Sequence, residues 1–433
     1  MLLRFDKQIS MINLSFKKDN QAGASIYIAI VCFCTYACVY AFRKPFTIGL
    51  YEDMPSYLGI EYKNLLVIAQ VLGYTASKVF GIKFISELKN IGRGKLILLL
   101  IVLSWIPLLL FPVLPAPLNI FCFFLNGFPL GIIWGIVFSF VEGRRATDFL
   151  GAALAVSFIV SSGVVKSIAK WIQMSFNISE MWVPFYTGLV FILPIILFIY
   201  LLEKIPAPTP EEIELKAPRL PMTKLDRHSF FKEFKIGIIA FVFIYLILTL
   251  FRDLRDNFAA NIWNDLGYGN NASVFTNTEL PIAFIVLILI ASMIVIKKNK
   301  LAFLISIVII MLGFIIVGLS TLFFKMNILN GYHWMLLVGL GLYMGYIPFN
   351  SLLFDRMIAT FRIKGNVGFL IYLLDSFGYL ASVIVISIKG TAHLQLNWAE
   401  FYSKGVLYFS ILGLLASLAA YLYYAKKIKT LNY

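Results

Sequence analysis

Apolar residues along the chain come in runs of about 20, bounded by charge, Pro, Gly or Asn, the length that crosses a hydrocarbon core of ~30 Å. The pattern predicts twelve helical spans, at 24–47, 62–86, 95–114, 118–142, 146–170, 183–202, 234–261, 278–296, 301–323, 332–355, 365–388 and 401–425. Between the sixth and seventh runs the pattern stops. Residues 203–232 hold Pro206, Pro208, Pro210, Pro218 and Pro221, five of the 16 prolines, among many charges. This stretch reads as a linker, with 211–216 either solvated chain or a short helix on the membrane surface. It divides the chain into an N-terminal six-helix bundle (1–202), a linker (203–233) and a C-terminal six-helix bundle (234–433). The expected fold class is an all-α membrane protein with twelve transmembrane helices in two six-helix bundles.

Composition agrees. Of 433 residues, 60% are hydrophobic and 14% charged, with a mean hydropathy of +0.87. A soluble domain carries roughly a quarter charged residues, so this chain lacks the polar surface to stay in water. The net charge of +15 invites a nucleic-acid reading, which the placement of the charges removes. With both termini and the linker on one side, that side collects 26 of the 37 Lys and Arg residues, and the other side collects Lys63, Lys325 and Lys389. The basic excess is therefore a topology signal, and it predicts cytoplasmic termini in a bacterial inner membrane. The opening segment has no apolar core and no small-residue cleavage site, so no removable signal peptide is expected.

The chain offers little to enzymatic chemistry. Cys32, Cys34, Cys38 and Cys122 fall inside apolar runs, and His228, His333 and His393 stand apart from other metal ligands. No phosphate-cradling glycine loop and no Gly-x-Ser-x-Gly motif occurs. Neither enzymatic activity nor a cofactor or metal is expected, and the expected state is a monomer.

Eight basic residues remain within or at the ends of spans: Arg43, Lys44, Lys78, Lys166, Lys170, Arg252, Arg255 and Lys404. An ionisable group inside a membrane helix costs at least ~2.5 kcal/mol, so it faces a partner, a wet cavity or the interface. Lys170 and Lys404 lie near helix ends and snorkel. Tyr36, Tyr40 and Arg43 share one helical face, as do Tyr74 and Lys78. In the seventh span, Arg252, Asp253, Arg255 and Asp256 form either a local ion-pair knot or part of a site. Arg252 stands about as far into the seventh span as Arg43 into the first. In a chain built of repeated halves, two such arginines face one central cavity and offer forked donors to an anion.

These residues resemble the major facilitator superfamily and, within it, the organophosphate:phosphate antiporters that include glycerol-3-phosphate and hexose-phosphate transporters. YACVYAFRKPF is similar to that family's first-helix pattern, GYTASKVFGIKFISE to its second-helix Tyr-x-x-Ser-Lys pattern, and DSFGYLAS to its eleventh-helix stretch; Arg252 matches its seventh-helix arginine. The resemblance implies Arg43 and Arg252 as the phosphate-binding pair, with Lys44, Lys78, Tyr36, Tyr40, Tyr74 and Tyr379 along the path. There are departures. The antiporters' fifth-helix histidine is absent, and Lys166 stands in that span, adding anion affinity or pairing with Asp375.

Asp375 lies four residues before Tyr379 on the same face and reads equally as a proton carrier or as the partner of a cavity cation. Glu142 and Asp355, beside Arg144 and Arg356, end the fourth and tenth spans and read as cytoplasmic gate pairs; Asp256 joins the coupling candidates. The expected function is secondary transport of a small organic anion by alternating access, a phosphate ester exchanged for phosphate. Proton-coupled symport of a carboxylate and a non-transporting ligand sensor on the same fold are the rivals. The lipid bilayer and the substrate are the expected partners.

The topology is open to a direct test. In intact cells a membrane-impermeant maleimide should label Lys325→Cys and spare Glu211→Cys; the reverse pattern would invert the orientation.

Overall fold

A computed structural model describes residues 21–87, 92–141, 147–206, 224–363, 367–391 and 397–430. Among them stand twelve helices of at least 18 residues. The first half contains α1 (Gln21–Tyr40), α2 (Tyr62–Glu87), α3 (Arg93–Leu110), α4 (Phe121–Phe138), α5 (Thr147–Ser175) and α6 (Val183–Glu203). The second half contains α7 (Lys224–Asn257), the short α8 (Ala259–Asp265), α9 (Val274–Val295), α10 (Asn299–Lys325), α11 (Gly331–Ser351), the short α12 (Leu353–Phe361), α13 (Val367–Thr391) and α14 (Trp398–Lys429). No β-strand occurs among the described residues. Nine helices pass as membrane-spanning on length and composition, ten when α11 and α12 count as one bent span. Helices α2 and α13 fall outside that set. They carry Lys63, Asn64, Gln70 and Asp375 into buried positions.

Three expected spans are broken. The first run, 24–47, leaves α-helix after Tyr40, and Pro45 begins a 3-10 turn, Pro45–Ile48. Proline lacks an N–H and its ring collides with the carbonyl four residues back, so the helix cannot continue through 41–45. The seventh run breaks at Phe258 (φ −110°, ψ 19°) between α7 and α8. The tenth bends by 48° at Leu352, between α11 and α12.

The seventh helix also starts earlier than expected. Residues 224–233 are helical, with a kink at Phe234 (φ −114°, ψ 17°). Phe230 and Phe234 are buried, Phe234 against Phe361 and Tyr424. Lys427 lies 4.3 Å from the Phe234 ring and 3.4 Å from the Glu233 carboxylate. The end of the linker therefore docks on α14 by burying aromatic area, which its charge content conceals. Residues 211–216 lie outside the described residues.

The end of the first span, the start of α2 and the end of α7 with α8 meet on one face, joined by Lys44 with Asp256 and Lys63 with Asn261; this is the distal face. Within the first half α2 lies along α4, and within the second α10 lies along α11. The halves meet where α5 packs on α9 and α11, and α2 on α13. One apolar core is confined to the first half, between Ile28 and Ile205. The larger core fills the second half and extends into Phe46, Ile48, Tyr51, Tyr62 and Leu66 of the first.

Close approach of α2 and α4 depends on small residues spaced four apart, as in membrane helix pairs generally. A Cβ on Gly131 would stand 2.8 Å from the Tyr74 carbonyl oxygen, and one on Gly127 would run into the Gln70 carbonyl. Overpacking costs about 1–3 kcal/mol. Gly127→Val should lower the melting temperature in detergent, whereas Gly151→Ala, which adds a methyl to open space, should leave it unchanged.

Candidate functional site

Breaking α1 frees carbonyls that a bilayer interior cannot solvate, so partners must be supplied from neighbouring helices. They come as two amides. Asn126 of α4 donates to the Phe42 carbonyl at 2.9 Å and Gln70 of α2 donates to the Arg43 carbonyl at 2.9 Å. Gln70 also donates to Asn126 at 2.8 Å, and Asn126 to the Ser104 carbonyl at 2.8 Å. This network fixes the backbone on either side of Arg43.

The guanidinium of Arg43 lies 4.1 Å from the centre of the Tyr74 ring and 5.8 Å from that of Tyr40. Tyr40 is in turn edge-on to Tyr36 at 5.6 Å. Such stacking on an aromatic face is worth about 0.5–2 kcal/mol and leaves the guanidinium edge open. Among the described residues Arg43 has no carboxylate partner, and its Nε is buried without a hydrogen bond. Tyr74 faces Tyr379 of the other half at 6.2 Å. Three of the four expected tyrosines are buried and Tyr379 is half-buried.

Across the interface Arg252 repeats the arrangement with one difference. Its guanidinium lies 3.9 Å from the Tyr346 ring. Its Nε and Nη2 both donate to Asp253 Oδ1, at 3.1 and 2.6 Å. Ser382 of α13 holds the other oxygen, Oδ2, at 3.3 Å. Tyr40 and Tyr379 stand within Coulombic reach of both arginines. Both guanidiniums therefore lie near Tyr40 and Tyr379, each against a tyrosine ring.

Beyond Arg252, Tyr346 and Tyr245 share a hydrogen bond at 3.2 Å. Tyr245 donates to Asp375 at 2.5 Å, and Asp375 is buried. Neither Tyr245 nor Tyr346 is legible as a site residue from sequence, because each sits in an ordinary apolar run. Only the pairing identifies them.

Asp256 is the hub on the distal side. Lys44 forms an ion pair with its Oδ2, and Lys166 reaches its Oδ1 and its backbone carbonyl, each at 2.5 Å. Ser162 also donates to Oδ1, and Lys44 donates to Asn257 at 2.7 Å. Lys44 and Lys166, expected along the substrate path, are thus engaged across the halves; pairing with Asp375 was one of the two roles expected of Lys166, and the acid it meets is Asp256. Of the two readings of the seventh-span charges, a local knot accounts for Arg252 and Asp253, which pair with each other; Arg255 reaches Glu279 of α9 at 2.5 Å and the Met335 carbonyl.

Lys63, counted among the basic residues of the opposite side, is buried. It donates to the Thr47 and Gly49 carbonyls at 2.8 and 2.7 Å and to Asn261 of the other half at 2.6 Å. Thr276 adds a link to Ser167 at 2.8 Å, and Lys389 stands 3.9 Å from Glu61. Lys404 behaves as a surface charge, paired with Glu400 at 2.7 Å.

Of the remaining candidates, Lys78 lies one turn beyond Tyr74 on α2 with its side chain outside the described residues, as is Glu142 altogether. Asp355 is exposed in the first turn of α12, and Arg356 donates to Asn299 at 2.7 Å. Among the described residues no cluster of metal-binding side chains occurs.

Comparison with known proteins places this geometry. The model of a family of unknown function (DUF5690) matches residues 45–427. No curated protein matches the chain. Its structure is similar to the E. coli xylose transporter XylE in a partially occluded inward-open conformation (TM-score 0.62, 11% identity, 92% of this chain and 97% of that one). It is similar also to the nucleoside transporter NupG (0.57, 13%, 94% and 100%) and to the human organic anion transporter MFSD10 (0.54, 13%, 93% and 100%). The fold is that of the major facilitator transporters.

Removing one partner of a buried ion pair costs about 3–5 kcal/mol because the other charge stays buried alone. Asp256→Asn should therefore lower the melting temperature in detergent, and adding Lys166→Met should recover part of the loss. Additive losses in the double variant would show that the two residues are not coupled.

Proposed function

Since the chain belongs to DUF5690, a family whose function is unknown, we propose its activity from its own geometry: a secondary active transporter that moves a small organic anion by alternating access. Arg43 carries this reading. A guanidinium held in a bilayer-spanning bundle, with a buried Nε that bonds nothing and no carboxylate beside it among the described residues, is a site waiting for an anion, since burying an unmatched charge is otherwise costly. The MFSD10 likeness, to a transporter of organic anions, supports the same class.

Alternating access is supported by where the halves touch. Among the described residues, the hydrogen bonds and ion pairs between them run through Lys44, Glu61, Lys63, Ser162, Gly163, Lys166 and Ser167 of the first half. These lie on the distal side, the outside of the cell by the Lys and Arg distribution. The state is thus closed outward. We take the two six-helix halves as the rocking bodies, with substrate binding biasing one state over the other through contacts made only there.

Exchange of a phosphate ester for phosphate, expected from the sequence, asks for two free guanidiniums. Arg252 is shared with Asp253, so the class proposed is small organic anions as a whole.

The test is uptake by proteoliposomes of a labelled panel of phosphate esters and carboxylates, with phosphate inside or with an imposed pH gradient. Saturable uptake of an anion is expected. Arg43→Lys keeps the charge and loses the fork; a charge-assisted hydrogen bond is worth about 1.5–3 kcal/mol, so uptake affinity should fall at least ~10-fold. Full uptake by Arg43→Lys would overturn the assignment.

A further inference from the structure

Building on the anion reading, we infer that Asp253 sets the charge of the substrate: by neutralising Arg252 and occupying its side-on Nε and Nη2 edge it leaves Arg43 as the guanidinium of the pair with no carboxylate among the described residues, so the site selects anions with one negative charge over doubly charged phosphate esters. The asymmetry is visible at corresponding atoms. An arginine takes a carboxylate or phosphate side-on by its planar fork, two parallel N–H donors to two oxygens. On Arg252 the Nε and Nη2 edge is filled by Asp253. On Arg43 the Nε is buried with no acceptor among the described residues.

Asp253 is not a stray neighbour. Its second oxygen is held by Ser382 from α13, and the guanidinium it neutralises is stacked on Tyr346, so carboxylate and guanidinium are both fixed from other helices. Through Tyr346 and Tyr245 the same side of the space also carries Asp375. A dianion spanning both arginines would have to displace a half-buried carboxylate from its partner and lie against it. A monoanion bound at Arg43 meets neither cost, and the tyrosine rings around Arg43 supply apolar area for its organic part.

The experiment measures binding to the purified full-length protein of three probes with one carbon skeleton: glycerate, glycerol 3-phosphate, and the methyl diester of glycerol 3-phosphate, which keeps the phosphate and carries one charge. The wild type should bind glycerate and the diester and bind glycerol 3-phosphate at least ~10-fold more weakly. Asp253→Asn frees the Arg252 edge and should shift the ratio of monoester to diester affinity at least ~10-fold toward the monoester, a change of one factor of ten per 1.4 kcal/mol. Ser382→Ala, a milder change for a chain in which Asp253→Asn fails to fold, should shift it the same way by a smaller factor. Anion binding with a ratio unchanged in the folded variants would overturn the role of Asp253. Absence of binding by all three probes in the wild type, with Arg43→Lys indistinguishable from it, would overturn the anion reading and the inference with it.

Discussion

Charge that has left water must be matched, and in this protein the matching is done across helices. Asp256 receives Lys44 from the end of the first span and Lys166 and Ser162 from α5, so one carboxylate ties three segments of the chain together. Each ammonium alone would carry a heavy desolvation penalty, and the carboxylate between them would carry another. Their meeting point can exist only when α1, α5 and α7 stand together on the distal side. The conformation and the ion pairs thus select one another.

The same constraint separates the two arginines. Arg252 has a carboxylate and is electrically complete. Arg43 has aromatic faces, which stabilise a cation weakly and do not consume its donors. It sits where α1 has stopped being a helix, and the amides of Gln70 and Asn126 hold the broken backbone so that the arginine is fixed without being spent. Breaks in α1 and between α7 and α8 occur in corresponding spans of the two halves, and both place polar backbone next to residues that join or face the other half. Irregular backbone at membrane depth is tolerated where protein or a cavity satisfies it.

Much of the fold was legible in the chain. The apolar runs correspond to the twelve long helices, because a membrane span is specified by local composition and length. Arg43, Arg252, the tyrosines at 36, 40, 74 and 379, and Asp375 were legible as candidates for the same reason: a polar group is conspicuous in an apolar run. The partners of Lys63 were hidden because a lysine at the mouth of a helix looks like a topology marker, while its three acceptors come from residues 47, 49 and 261. The helical start of α7 was hidden because Phe230 and Phe234 bury their rings against partners far away in sequence.

The sequence by itself determined which segments cross the membrane, which side of each carries the basic residues, and which polar groups the bilayer would not tolerate alone. Those are properties of single residues and short windows. Only the tertiary structure decided that Lys166 belongs to Asp256, that Arg255 belongs to Glu279, that Arg252 pairs with Asp253, and that Arg43 has no carboxylate partner among the described residues. Ion pairing depends on distances of a few ångströms between residues up to about two hundred positions apart, and the balance of desolvation against pairing is settled by which helices pack side by side.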